Sequence, residues 1–120
     1  MLDKLDEALN ETGIPFVFAG WSKAPEDEYG KRPDYGVYSL SGQEQFRADS
    51  DSGAEIMIRG FVDLFTHDRT RDSQKLIENK LRGLGLWWTL ESIQFEPENG
   101  YLHYEWSWAD IENQTERAIK

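Results

Sequence analysis

Two aromatic-rich segments near the C-terminus, joined by a short polar turn, constrain the fold of this chain most strongly. The turn is Pro97-Glu98-Asn99-Gly100, and Asn-Gly between alternating apolar residues is the strongest short signal for a β-hairpin. We predict strands over 86–95 and 101–108. The second strand places one set of large side chains on a single face: Leu102, Tyr104, Trp106 and Trp108.

Trp87 and Trp88 are adjacent in the first of these strands, so their side chains point to opposite faces. One face of the hairpin belongs to a core. The other must be covered by the N-terminal helix, covered by a neighbouring subunit, or left exposed. Exposed aromatic patches usually mark interfaces, but a two-layer core and a long loop would also hide these rings, and the residues alone leave both alternatives open.

Helical periodicity predicts two helices upstream of the hairpin. Leu2, Leu5 and Leu9 recur at helical spacing, which predicts a helix over 2–9 that ends before Gly13. A second helix is predicted over 72–82, because one side of it is mostly apolar: Leu76, Ile77, Lys80, Leu81 and Leu84. Three side chains before it are good N-caps, and the sequence does not choose among them: Asp68, Thr70 and Asp72.

Alternating apolar residues predict the remaining strands. The clearest is 55–66, where Gly60 marks either a bulge or a close approach of another backbone. A short strand is predicted over 15–19, and residues 35–48 read as a hairpin around a tight Ser41-Gly42 turn. Residues 21–34 carry prolines, a glycine and many charges and are predicted to form a long loop.

This order of elements predicts an α+β fold, a mostly antiparallel sheet with an N-terminal helix and a second helix before the C-terminal β-hairpin. At 120 residues the chain has the length of one domain. We expect that domain to span residues 1–110. Residues 111–120 are expected to be a polar, frayed tail.

Composition limits the possible functions. The chain has no cysteine, which excludes a disulfide scaffold, a thiolate zinc site and a cysteine nucleophile. Its net charge of −10 disfavours binding of nucleic acid through a broad basic face. It begins with no basic-then-apolar stretch, and no apolar run approaches the ~20 residues of a membrane span. A soluble, intracellular protein without membrane contacts is therefore expected.

We find no catalytic, cofactor or metal motif. His67 and His103 have no partner at metal-ligand spacing and are expected to be ordinary surface or edge histidines. The segment 49–53 fails the pattern of a calcium loop at its fifth and sixth positions. A nucleophile elbow and a glycine-rich phosphate loop are also missing from the sequence. We therefore predict that the protein is not an enzyme and takes no cofactor.

The second half of the chain carries motifs that point to a known family. Residues 60–65 read G-F-V-D-L-F and lead into the second helix, Trp87-Trp88 follows, and residues 100–106 read G-Y-L-H-Y-E-W. Over residues 35–110 this arrangement resembles the tail-terminator or tail-completion (neck) proteins of long-tailed bacteriophages and prophages.

The resemblance implies a small structural protein with no catalytic residues. Such proteins form homo-oligomeric rings, commonly hexamers, which cap the tail tube and join the tail to the head connector. The implied partners are copies of the chain itself, the tail tube protein and the head–tail connector protein. DNA passes through the lumen without sequence-specific binding, and an acidic lumen would help it slide. The implied location is the tail or neck of the virion, after assembly in the host cytoplasm.

We selected partly exposed aromatic residues as candidates for subunit contacts, because interfaces favour such residues. They are Trp21, Tyr29, Tyr35, Phe46 and Trp87. The alternatives are a different phage connector and, from another class, an acidic inhibitor that mimics DNA or binds a host protein. The even spread of acidic residues along the chain disfavours DNA mimicry.

Overall fold

The computed structural model describes residues 1–19, 33–47 and 54–113, without the side chains of 44–47, 54–55 and 112–113. The described residues form a five-stranded sheet in the order β1-β2-β3-β5-β4. β1 is parallel to β2, and the other neighbouring strands are antiparallel. The elements in chain order are α1 (Leu2–Asn10), β1 (Phe16–Phe18), β2 (Tyr35–Arg47), β3 (Ala54–Thr66), α2 (Asp72–Gly83), β4 (Trp87–Glu96) and β5 (Tyr101–Asn113).

The predicted fold class is confirmed: an antiparallel sheet, an N-terminal helix, and a second helix before the C-terminal hairpin. Both helices contribute to one core on the same face of the sheet. Their buried leucines and isoleucine pack with alternate residues of the central strands. The fully buried members of this core are Leu5, Leu9, Val62, Leu64, Ile77, Leu81 and Trp106.

The apolar side of α2 differs in part from the prediction. Ile77 and Leu81 are buried as expected, but Leu76 is 44% exposed. Gln74 is buried in its place, and its side chain is satisfied because its amide nitrogen donates to Glu78 Oε2 at 3.1 Å. The helix is therefore rotated relative to the predicted stripe, and Leu76 points away from the sheet.

The beginning of α2 is stabilised from outside the helix. The N-cap residue is Arg71, in a left-handed conformation with φ of 72°, and it makes no side-chain capping bond. Asp68 provides the acceptors instead, since its carboxylate accepts from the Thr70 hydroxyl and from the backbone N–H groups of Thr70 and Ser73. These bonds hold the pKa of Asp68 well below its usual range.

Gly60 lies in β3, close to the backbone of β2 and to a side chain of β5. A Cβ atom at this position would overlap the carbonyl oxygen of Ser39 and would lie 2.6 Å from Cζ2 of Trp108. Trp108 is 2% exposed and occupies the space that a side chain would need. Of the two alternatives that the sequence leaves open, the close approach of another backbone is confirmed, and a register shift in β2 also lies directly opposite Gly60.

The predicted hairpin around Ser41-Gly42 is wrong. Residues 35–47 form one strand, β2, which pairs along its length with β3. The register shifts between Leu40 and Gly42, so the Ser-Gly pair marks a bulge instead of a turn. Glycine is favoured in both tight turns and bulges. Because β3 is long enough to pair with residues on both sides of the Ser-Gly pair, the chain continues as one strand and does not turn back. The predicted loop at 21–34 lies outside the described residues up to residue 32.

β5 is longer than predicted. The sequence predicts a strand that ends at Trp108 and a domain that ends at residue 110, but β5 continues to Asn113, which pairs with Glu55. The polar residues of this extension stay in the sheet because β3 offers them backbone partners. The rest of the predicted tail, 114–120, lies outside the described residues.

Candidate interaction surface

One face of the sheet carries neither of the two described helices. We call it the open face; it presents the odd-numbered residues of β3 and β5 and the residues aligned with them. Directly opposed pairs across β3 and β5 are Phe61 with Ser107, Asp63 with Glu105 and Phe65 with His103. Such opposed residues lie on the same face of a sheet.

Stacked rings cover the end of the open face nearest the Pro97–Gly100 turn. Phe65 is central: Tyr35 stacks on it with ring centroids 4.6 Å apart, and His103 stacks on it at 4.2 Å. Tyr101 contacts both Phe65 and Tyr35 edge-on and stacks with His67 at 4.4 Å. These rings therefore pack against one another within a single chain.

This cluster corrects one expectation about subunit contacts. Tyr35 was selected as a partly exposed aromatic, but it is only 9% exposed. The pairing of β2 with β3 places it opposite Phe65, where stacking buries its ring. Tyr35 is thus an internal packing residue and does not present the exposed ring that the selection assumed.

A carboxylate–histidine group lies beside the stacked rings. His103 Nε2 is 2.8 Å from Asp63 Oδ1, and its Nδ1 is 3.5 Å from Glu96 Oε2. The hydrogen bond with Asp63 raises the pKa of His103 despite partial burial. Burial and the nearby Asp63 raise the pKa of Glu105. The expectation of an ordinary edge histidine therefore misses a partly buried ion pair.

Replacing His103 with asparagine is expected to cost stability in a pH-dependent way. The folded-state pKa of His103 lies above 6.5, the ordinary value of a histidine side chain. The ion pair therefore stabilises the fold fully below about pH 6.5 and loses this contribution as the pH rises through the folded-state pKa. Urea denaturation of both proteins at pH 5.5 and pH 9 should show the larger difference at the lower pH. An equal difference at both would mean that the ring contributes packing alone.

A trough of about 520 Å³ lies at the other end of the open face, across β3, β5 and β4. Its lining includes small side chains such as Ala109 and Ser107, and Glu91 Oε1 accepts a hydrogen bond from Ser107 Oγ at 2.7 Å. Larger and charged side chains line the rest. These larger and polar lining residues include Arg59, Phe61, Trp87, Glu91, Glu105 and Ser107.

β4 is the outermost strand beside β5, and it leaves large apolar side chains exposed. Trp87 is 69% exposed on the open face, while Trp88 packs against the core on the opposite face, as predicted. Phe95 is 54% exposed and Ile93 47%. Among the described residues, β4 pairs with β5 alone. By register Ile93 and Phe95 lie opposite Tyr104 and Leu102, on the helix-bearing face, so β4 exposes large apolar side chains on both faces of the sheet.

Of the five candidate contact residues, Trp87 is exposed and Tyr35 is buried in the described part of the chain. Phe46 lies in β2, paired with Glu55, and its side chain is not among those described. Trp21 and Tyr29 lie outside the described residues. The sequence reasoning missed Ile93 and Phe95. Both are apolar residues in an edge strand. The sequence alone does not show which strand lies at the edge, so their exposure could be inferred only from the strand order.

Within the described part of the chain, no group of three or more histidine or acidic side chains is arranged to hold a metal ion. No described helix is both long enough and apolar enough to cross a membrane. Comparison with protein-family models and with curated proteins finds no match.

Proposed function

We propose that this protein is a structural subunit that assembles into a homo-oligomeric ring, caps the tail tube of a long-tailed phage and joins the tail to the head connector. The observation that carries the proposal is the exposed apolar surface of β4, above all Trp87. The motifs in 60–65 and 100–106 are the reason for naming this family in the proposal.

An edge strand with exposed large apolar residues favours self-assembly. Its outer N–H and C=O groups can pair with another chain, and its apolar side chains lose contact with water when they do. β4 has two of the features that proteins use to protect such edges, the charged residues Glu91 and Glu96 and a register shift between Leu90 and Ser92, so the case for a contact rests on its exposed apolar side chains. Exposed tryptophan is also among the residues that most often dominate binding energy at interfaces. β4 therefore has the character of a contact strand.

The net charge of −10 is consistent with a ring through which DNA passes. An acidic surface repels the phosphate backbone, so DNA would not adhere to the ring. The aromatic cluster around Phe65 supports the same role in another way, because it braces the sheet that would carry the contacts.

Replacing Trp87 with serine is expected to abolish assembly and to leave the fold intact. Native mass spectrometry over a range of concentrations should show a closed ring, expected to be a hexamer, for the unmodified protein and monomers for the variant. The side chain is 69% exposed, so the free energy of unfolding of the monomer should change by no more than about 0.5 kcal/mol. Trp87→Phe retains an apolar ring and should retain assembly.

One observation favours the second candidate, an acidic protein that binds a basic host protein. Four carboxylates lie on the open face: Asp63, Glu91, Glu96 and Glu105. The two candidates predict different results. A protein that stays monomeric at every concentration, fails to bind tail tubes and is captured by a basic host protein would replace the ring proposal with this one.

A further inference from the structure

The side chains of β4 are arranged symmetrically about a bulge in the middle of the strand. Glu91 has no partner in the pairing with β5, since Leu90 pairs with Trp106 and Ser92 with Glu105. This extra residue shifts the alternation of faces. The helix-bearing face therefore carries two apolar residues before the bulge and two after it, at matching distances: Trp88, Leu90, Ile93 and Phe95.

A strand with this pattern is complementary to a second copy of itself that runs in the opposite direction. When Leu90 is set opposite Ile93 of the second copy, Trp88 lies opposite Phe95 on the same face. The two bulges then meet at the two-fold axis, so the register continues through them. The same register pairs the residues of the open face: Trp87 with Glu96 and Thr89 with Gln94.

This pairing would cover the apolar side chains that β4 leaves exposed on the helix-bearing face. Ile93 is 47% exposed and Phe95 is 54% exposed. Each would meet a residue of the second copy, Leu90 or Trp88, that already packs against the core of its own chain. The strand thus contains both the side chains that lack cover and the side chains that can supply it.

The other edge of the sheet is closed by a side chain. Asn10 Oδ1 accepts from the backbone N–H of Phe16 at 2.9 Å, and Asn10 Nδ2 donates to the carbonyl oxygen of Phe16 at 3.2 Å. This amide occupies backbone groups that a further strand beside β1 would use. In the part of the chain that the structure describes, β4 has β5 as its one neighbour. A second copy would therefore add at β4.

We propose that two copies of the free protein pair through β4, antiparallel and about a two-fold axis between Glu91 and Ser92. The occupant is the same strand of a second copy, because the order of faces and of exposed side chains matches itself. This dimer goes beyond the proposed function, since it concerns the protein before assembly. A two-fold contact stops at a dimer, so the pair must open before β4 can contribute to a ring.

Like charges oppose this pairing. The two Glu91 side chains approach each other at the axis. Arg82 lies over the ring of Trp88 and Arg69 over the ring of Phe95, so arginines of the two copies also come to the same side. Raising the NaCl concentration from about 50 mM to about 500 mM should therefore strengthen the dimer, whereas a contact between opposite charges would weaken.

Introduced cysteines test the register, because the chain has none of its own. Thr89→Cys and Gln94→Cys are made as separate variants, both at exposed positions. In the proposed dimer they lie opposite each other, with Cα atoms about 5 Å apart, which a disulfide can span. Oxidation of the mixed variants with copper–phenanthroline should give a linked dimer. Each variant alone should stay unlinked, because its two cysteines lie about 17 Å apart along the strands.

Replacing Ile93 with serine tests the apolar contact, with Leu76→Ser as the matched control. The two side chains have similar exposure, 47% and 44%, but Leu76 lies on α2. Ile93→Ser should weaken the dimer about tenfold or more, because the two-fold axis removes the buried side chain twice. Leu76→Ser should leave it unchanged. Analytical ultracentrifugation at concentrations too low for the ring to close measures both.

Three results would overturn the dimer: a free protein that is monomeric until the ring closes, cysteine variants that link as well alone as when mixed, or equal dimerisation of Ile93→Ser and the unmodified protein. Tail tubes decide the proposed function separately. A monomeric protein that caps tubes would retain the ring without the dimer. A dimeric protein that never caps them would retain the dimer without the ring.

Discussion

Replacing Trp106 with alanine is expected to lower the free energy of unfolding by about 3–5 kcal/mol, as for other large buried side chains. Trp106 is 0% exposed and belongs to the core formed by both helices and the central strands. Its ring stacks on Tyr104 with centroids 5.6 Å apart, and its Nε1 donates to Glu78 Oε2 at 3.0 Å. The variant leaves a cavity and removes a donor from the partly buried carboxylate of Glu78. Urea denaturation monitored by circular dichroism measures the loss.

Trp87→Ala is the matched control for this prediction. It removes the same side chain from the next strand, but from an exposed position, and should change the free energy of unfolding by no more than about 0.5 kcal/mol. Both variants should be measured at concentrations where the protein is monomeric. Equal losses for the two would contradict the assignment of Trp106 to the core and Trp87 to the surface.

Gly60→Val is expected to destabilise the protein by about 3 kcal/mol or more, the upper end of what overpacking costs. A Cβ atom at residue 60 would overlap the Ser39 carbonyl oxygen, which cannot move without disturbing the pairing of β2 with β3. It would also displace the ring of Trp108. The branched side chain therefore has no space on this face. Chemical denaturation measures the effect, and loss of soluble protein would be its extreme form.

Gly83→Ala separates this crowding from the general effect of replacing glycine. Gly83 ends α2, and a Cβ there would meet no heavy atom within 4 Å. Alanine should therefore leave stability unchanged or raise it by up to about 1 kcal/mol, because it favours the helix. If Gly60→Val were as harmless as Gly83→Ala, the close approach of β2 and Trp108 to β3 would be wrong.

Local pattern was enough to predict most elements and the faces of their side chains. The Asn99-Gly100 turn identified the last hairpin, alternation separated Trp87 from Trp88, and a glycine in a strand indicated the close contact at Gly60. Each of these signals acts between residues near one another in the chain. The error at Ser41-Gly42 has the same origin, because a turn and a bulge have the same local signature.

The candidate surface could not be predicted in the same way, because it depends on strand order and register. The stacking of Tyr35, Phe65 and His103 joins residues from three strands. The ion pair of His103 with Asp63 exists only in the observed register of β3 and β5, since a shift by one residue would move His103 to the other face. The exposure of β4 likewise follows from its place at the edge of the sheet.

The most direct test of the proposed role is electron microscopy of tail tubes mixed with this protein. The tubes are assembled from the tail tube protein of the genome that encodes the chain, and the Trp87→Ser variant is the control. The account predicts a ring of this protein at one end of each tube, with further growth at that end stopped, and bare, growing ends with the variant. Tubes whose ends stay bare and keep growing in the presence of the unmodified protein would contradict it.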